Sequence, residues 1–339
     1  MENNTNFDFV IKEVDYKSDD FDSSKLTLGI TGKDVNYTII NSLRKVCLDQ
    51  VPIYALDRSK IKILRNNSVY DCTDMEVRLS QLPIKRIKPN VIYLPLKYYK
   101  NVNFSDPKLE RHSDDNINVE YYLNVKNNGP DKVLYVTTDN LRISIDNEVV
   151  DNKSIYKGKE PITLIQLRPG EEFECSMKGV LAVGELNAIY NASNTYYEEI
   201  TENNYLLNIE STGQLDEYEL LLRGIEIIIE KLKIIKENIT QQQYSLIVTE
   251  NNSVQLEIKN EDYTCGGPLN WVLQDMKEVI FSGVSRPNFM EKNITITCAF
   301  DKNYKPIDVF EKSIDKTIEL YSNIKKKSSK FDSQEKNIK

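Results

Sequence analysis

Asn41-Ser42-Leu43-Arg44-Lys45-Val46-Cys47-Leu48-Asp49-Gln50-Val51-Pro52-Ile53-Tyr54-Ala55-Leu56-Asp57 is the stretch on which the fold turns. Leu43, Val46 and Cys47 fall at helical spacing with Ile39 and Ile40 before them, so one face of a helix is apolar. Arg44 and Lys45 sit side by side away from that stripe. Pro52 ends the helix, and Tyr54 to Leu64 reads as a strand. The helix is expected over Asp34–Asp49, with cap candidates in Thr31-Gly32-Lys33-Asp34. Ahead of it, Phe7, Phe9, Ile11 and then Leu26, Leu28, Ile30 alternate as strands around an acidic turn, Asp19-Asp20-Phe21-Asp22.

The apolar stripe needs a partner, and the far end of the chain offers two. Asp216 to Asn238 carries Leu222, Ile225, Ile228 with Ile229, Leu232 and Ile235 in steps of three and four, a seam for another helix. Pro306 opens a last helix with Ile307, Phe310, Ile314, Thr317, Tyr321 and Ile324 in the same rhythm. Between them, strands are expected at Tyr244–Thr249, Val254–Lys259 and Ile294–Phe300, with a helix from Asp262 to about Val279. The two ends thus repeat an order of parts, strand-strand-helix-strand closed by a long helix. The middle differs. Val91–Leu96, Val119–Val125, Val133–Thr138, Leu141–Ile145, Ile162–Leu167 and Glu172–Leu181 are strand-like, punctuated by Gly129-Pro130 and Pro169-Gly170, and a second helix over Asp74–Gln81 precedes them.

The expected fold is α+β. A first dimerisation unit covers 1–84 plus 200–240, an inserted β-rich domain 85–199, and a second dimerisation unit 241–325, with a disordered charged tail over 326–339. The two units pair within the chain, through Leu43, Val46, Ile225, Ile228, Leu232, Leu269, Val272, Phe310, Ile314 and Tyr321; a domain-swapped pair of chains is the competing geometry.

Composition narrows the function. The 339 residues carry a net charge of −8, against a chain that coats nucleic acid. The best local basic patch is Lys85-Arg86-Ile87-Lys88. No apolar leader or membrane span is visible, and the five cysteines are scattered without a C-x-x-C pair, which fits a reducing compartment. The single histidine, His112, lies in a polar stretch with no nucleophile arranged around it, and there is no phosphate-binding glycine loop. Neither a catalytic constellation nor a metal site is expected, so an independent enzyme has nothing behind it.

Three motifs in order carry a resemblance. Asn41-Ser42-Leu43-Arg44-Lys45, Val51-Pro52-Ile53-Tyr54-Ala55-Leu56-Asp57 and Arg78-Leu79-Ser80-Gln81-Leu82-Pro83-Ile84 resemble the signature of the alpha-type assembly subunit of multisubunit RNA polymerases, in its third-subunit form. Lys45 stands where the family has a second arginine, and Val77 where it has histidine. Leu167-Arg168-Pro169-Gly170-Glu171-Glu172 and Glu210-Ser211-Thr212-Gly213-Gln214-Leu215 look like the end of the family's inserted domain and the return from it. Asp262-Tyr263-Thr264-Cys265-Gly266-Gly267, Phe281-Ser282-Gly283-Val284-Ser285-Arg286-Pro287 and the last helix are similar to the eleventh-subunit partner, with departures at its His, Leu and Asn positions.

The resemblance implies both alpha-like partners fused in one chain, as in large cytoplasmic DNA viruses. It further implies a non-catalytic platform holding the two large catalytic subunits beside other small subunits, in the host cytoplasm and the virion. DNA would be met only through the complex, and no cofactor is implied, since 85–170 hold no cysteine. Arg44, Lys45, Arg78 and Arg223 are the expected large-subunit contacts; for Arg44 and Lys45 an intrachain salt bridge is the competing role. A stand-alone virion structural or adaptor protein is the alternative.

Overall fold

The computed structural model describes residues 7–17, 24–106, 108–115, 117–156, 160–241, 244, 246–248, 253–288, 290–301 and 304–336. The acidic turn expected at Asp19–Asp22 lies outside the described residues.

The alternation at Leu26, Leu28 and Ile30 buries all three and sets β2 (Lys25–Thr31), antiparallel to β1 (Val10–Lys17). Helix α1 (Tyr37–Asp49) follows. Its cap is Asn36, later than expected: the Asn36 Oδ1 accepts from the backbone N–H of Thr38 (2.9 Å) and Ile39 (3.1 Å). That satisfies two donors a helix start would otherwise leave open.

From Val51 the chain leaves this unit. Strand β3 (Ile53–Asn66) leads to α2 (Cys72–Ser80), β4 (Val119–Lys126), β5 (Leu134–Thr137), β6 (Arg142–Ile145), β7 (Glu148–Val150), a single turn α3 (Asn152–Ile155), β8 (Thr163–Leu167) and β9 (Glu172–Ala182). One sheet runs β3-β9-β4-β6-β7, and β5 and β8 form a separate ladder. The inserted domain therefore spans about 51–192 and not 85–199. The reason is pairing: β3 finds its backbone partner in β9, and α2 packs on β3, so both belong to the insert. Val91–Leu96 forms no strand. Pro89 and Pro95 bracket it, and proline cannot donate to a ladder; Val91 and Leu94 anchor the segment in the core instead.

The hairpin of β10 (Ser193–Thr201) and β11 (Asn204–Ser211) then returns to the first sheet, ordered β1-β2-β11-β10. Helix α4 (Glu217–Thr240) starts where expected, and Asp216 caps it, its carboxylate accepting from the Glu219 N–H at 2.7 Å. The second unit is β12 (Leu246–Val248), β13 (Ser253–Lys259), α5 (Tyr263–Gln274), β14 (Val279–Ser285), β15 (Asn293–Phe300) and α6 (Pro306–Lys336), with its sheet ordered β12-β13-β15-β14. Each unit thus reads strand-strand-helix-strand-strand-helix, with the same order in its sheet. Strands β10, β11 and β14 were not anticipated; α5 stops at Gln274, leaving Val279 free to open β14.

The helices build the junction. Helix α1 packs on α5, and α4 on α6, while α1 with α4 and α5 with α6 close each unit internally. The pairing is an intrachain pseudo-dimer. Helix α6 continues to Lys336, so the expected disordered tail is helical over 326–336. Lys327 explains part of this. Its Nζ sits 3.7 Å from the Phe9 ring centroid and donates to the Phe9 carbonyl at 2.6 Å, tying α6 to the residue before β1. Tyr244, before β12, makes the matching contact with α4 through Asn238 (3.0 Å).

Candidate functional site

The pairing surface is built mainly on apolar side chains. Leu43, Val46, Ile225, Ile228, Leu232, Leu269, Phe310, Ile314 and Tyr321 are all buried in one continuous core. Each such aliphatic side chain stabilises by about 1.5–3 kcal/mol relative to an exposed one. Val272 is the correction: it is buried but stands apart from that core, to which α5 contributes Leu269 and Leu273. Small residues let the helices approach. A Cβ on Gly224 would stand 3.0 Å from the Cys47 Sγ, and one on Gly267 would stand 3.3 Å from the Thr38 Cβ. Between the units, the Ser42 hydroxyl donates to the Thr264 carbonyl at 2.7 Å.

Charge locks the junction as well. Lys45 of α1 forms an ion pair with Asp262, the cap of α5, whose carboxylate also accepts from the Thr264 N–H at 2.8 Å. Burial alone would raise the Asp262 carboxyl; Lys45, the Thr264 bond and Lys292 outweigh it and hold the group well below the usual carboxylate range. Lys231 of α4 meets Glu261 at 3.4 Å with both side chains nearly buried. Lys292, in the β14–β15 loop, reaches Glu185 of the insert at 2.7 Å. Asp49, at the end of α1, has a buried carboxylate oxygen with no partner. Burial pushes it up to about 6, with the Lys45 ammonium opposing. The two units and the insert are thus pinned at one place.

Two of the four expected interface cations are spent inside the fold. Lys45 pairs with Asp262, so the competing salt-bridge role is the one it fills. Arg223 is only 7% exposed and spends its guanidinium on Glu219 (2.9 Å) and the Val91 carbonyl (3.2 Å), fastening the insert segment after α2 to α4. Arg44 is half-buried, its Nε donating to the Asn41 Oδ1 at 2.9 Å. Arg78 is exposed on α2, donating to the Thr163 carbonyl at 3.2 Å. The basic run is also engaged internally: Lys88 meets Glu219 at 2.7 Å, and Arg86 donates to the Ser154 carbonyl at 3.1 Å. His112 stacks edge-on against Tyr98, ring centroids 5.2 Å apart. Among the described residues no group of His, Cys, Asp and Glu side chains gathers to hold a metal ion, and no helix is long and apolar enough to cross a membrane.

Sequence reasoning missed Asp262, Lys292 and Glu185 as the lock, and it missed the crevice that Tyr37, Tyr263 and Trp271 line at the α1–α5 crossing. The signal was present: Asn36-Tyr37-Thr38 and Asp262-Tyr263-Thr264 open the two crossing helices in the same way.

Comparison with known proteins agrees with this architecture. Residues 29–232 match the RNA polymerase Rpb3/Rpb11 dimerisation domain, and residues 253–327 match a second family model of the same description. The first match runs through the whole insert, and the second covers the unit built on α5 and α6. A protein of Acanthamoeba polyphaga mimivirus, described as a putative DNA directed RNA polymerase subunit, is 28% identical over 324 residues, 88% of this chain and 89% of its own length. With one dimerisation domain at either end and their helices packed together, the chain belongs to the RNA polymerase Rpb3/Rpb11 dimerisation-domain family, as a fusion of both alpha-like partners.

Proposed function

We propose that this chain is the non-catalytic assembly platform of a viral DNA-directed RNA polymerase, holding the two large catalytic subunits and other small subunits. The observation that carries the reading is the intrachain pairing of α1 with α5 and of α4 with α6. It buries the apolar faces of the four paired helices in one core. Fusion makes the pairing intramolecular, at an effective concentration on the millimolar scale. Arg44 and Arg78 are the cations this reading assigns to large-subunit contact, since Lys45 and Arg223 are spent inside the fold. The mimivirus relative supports a viral setting, and within this reading the polymerase works in the host cytoplasm and is packaged in the virion.

The test is co-expression with both large subunits. The expected outcomes are an isolated chain with the mass of one 39.3 kDa polypeptide in solution and recovery of the large subunits with it on co-expression. Arg44→Glu leaves the chain folded and abolishes that recovery. Unimpaired assembly would show that α1 does not face a large subunit. A protein recovered only alone, or only in capsid shells, would favour a virion adaptor.

A further inference from the structure

The insert's sheet, β3-β9-β4-β6-β7, has one face in the core and one in water. Ile61, Met177, Tyr121 and Ile143 make a buried row across four of its strands. One residue along, Lys62, Ser176, Tyr122 and Arg142 pair in the same register on the open face. The open row thus has a cation at either end, with a hydroxyl and a ring between. Adjacent strands lie about 4.8 Å apart, so the backbones of Lys62 and Arg142 stand roughly 14 Å from each other.

The charges around that row do not balance. Glu174 meets Arg65 at 3.4 Å and takes the Tyr122 hydroxyl at 2.5 Å; Glu120 meets Lys178 at 2.5 Å, and Glu172 meets Lys126 at 3.8 Å. Each of these carboxylates has its cation. Lys62 and Arg142 are left over, both exposed and with no carboxylate partner among the described residues. The chain as a whole carries a net charge of −8, so two surplus cations on one sheet face run against its balance. A lysine on an edge strand discourages stray pairing, and Lys62 lies on edge strand β3. Arg142 has no such duty, because β6 is flanked by β4 and β7. Beside it opens a trough of about 350 Å³, lined also by Ser144 and Ser176, whose hydroxyls bond to no described residue.

We infer that this face docks an acidic, extended segment of a partner polypeptide, lying across the strands. An extended chain advances about 3.4 Å per residue and alternates its side chains, so carboxylates four residues apart stand about 14 Å apart on one side. That is the spacing of the row's two cations. Arg142 offers a planar fork to one carboxylate, with the serine hydroxyls as further donors, and Lys62 offers a point charge to the other. A nucleic-acid strand fits less well. It carries a charge at every nucleotide and would set phosphates against Glu120 and Glu174, which flank the row on its two sides. The inference stands on the insert's own charges, so it can fail while the assembly role holds.

The full chain is titrated into a fluorescein-labelled Ser-Thr peptide carrying two glutamates four residues apart, read by anisotropy at low ionic strength. Parallel titrations use the same peptide with glutamine for glutamate, and a single-stranded oligothymidylate. Saturable binding is expected for the glutamate peptide, none for the glutamine peptide, and weaker binding for the oligonucleotide. Lys62→Gln and Arg142→Gln each weaken the affinity by about tenfold, the loss of one charge-assisted hydrogen bond. Arg58→Gln, on the same strand as Lys62 but paired with Glu76, leaves it unchanged. No saturable binding of the glutamate peptide overturns the proposal, as does equal binding of the glutamine peptide, tighter binding of the oligonucleotide, or an affinity unmoved by both row variants. A chain dimer that Arg142→Gln dissociates would overturn it too, by giving the face to a second copy.

Discussion

Lys45→Met removes one member of the ion pair that joins the two units and keeps the length of the side chain. Its partner is the more deeply buried: the Asp262 side chain is 8% exposed and that of Lys45 31%. Stranding a fully buried charge costs about 3–5 kcal/mol, and breaking an exposed pair about 0–1. With one buried and one partly exposed member, and Lys292 still acting on the carboxylate, the expected loss is about 2 kcal/mol. Asp262→Asn separates charge from capping, because asparagine caps as well as aspartate. It frees a lysine that can reach water, so it costs less, about 1 kcal/mol. The double variant then loses less than the two single variants together, with a coupling of about 1–2 kcal/mol. The assay is urea unfolding followed by Trp271 emission, which reports on α5. The depressed Asp262 pKa fixes the pH course: the stabilisation is present above the unfolded carboxylate value of about 3.9 and is lost only as pH falls through the lower folded value. The coupling therefore persists at pH 5. Strictly additive single variants, or a Lys45→Met chain with an unmoved midpoint, would falsify the lock and return Lys45 to an external surface.

Asp49 behaves in the opposite sense. Its folded pKa is raised to about 6, so its contribution is full below about pH 4 and is lost as pH rises through 6. Asp49→Asn should stabilise the chain at pH 7 by about 1–3 kcal/mol, with the advantage vanishing below about pH 4; equal benefit at both pH values would refute the burial argument. Gly224→Ala places a methyl 3.0 Å from the Cys47 Sγ, where α4 crosses α1. Crowding of that kind costs about 1–3 kcal/mol, and a second substitution, Cys47→Ala, should recover part of it. No recovery would mean the strain lies elsewhere.

Much of the pairing core was legible because helical spacing is dictated by burial. Leu43 and Val46, then Ile225, Ile228 and Leu232, then Phe310, Ile314 and Tyr321 sit on the faces their periodicity assigned. Periodicity was silent where pairing is non-local. Nothing within 53–66 says that this strand will lie beside 172–182, so the insert boundary fell too late. Edge strand β10 carries Tyr196, Tyr197, Glu198 and Glu199 with little alternation, since most of it faces water. The charged contacts were least legible of all. Arg223 and Lys45 look like surface cations in sequence, and only the fold brings Glu219, Val91 and Asp262 to them. A basic residue on a helix has one spacing whether it faces a partner chain or a carboxylate of its own chain.

The lock also bears on which halves meet. Aligning the two helix starts, Asn36-Tyr37-Thr38 on Asp262-Tyr263-Thr264, sets Lys45 against Trp271. Suppose the first unit paired with the first unit of another copy. Each Lys45 would then face Asn36, and the ion pair would be gone from both sides of the crossing. Two second units paired together would set each Asp262 against Trp271, burying two carboxylates beside indole rings with no cation. Unpaired buried charge is among the costliest defects a protein surface can meet. Unlike pairing is the one arrangement that satisfies both Lys45 and Asp262, so discrimination comes from penalties on the alternatives as much as from the attraction of the ion pair itself. Fusion then supplies the correct partner at high local concentration. In a pair of identical chains the two sides of the crossing must be the same. Here one side is free to hold the charge that sets the pairing, and the other to keep Trp271 and its crevice uncharged and open.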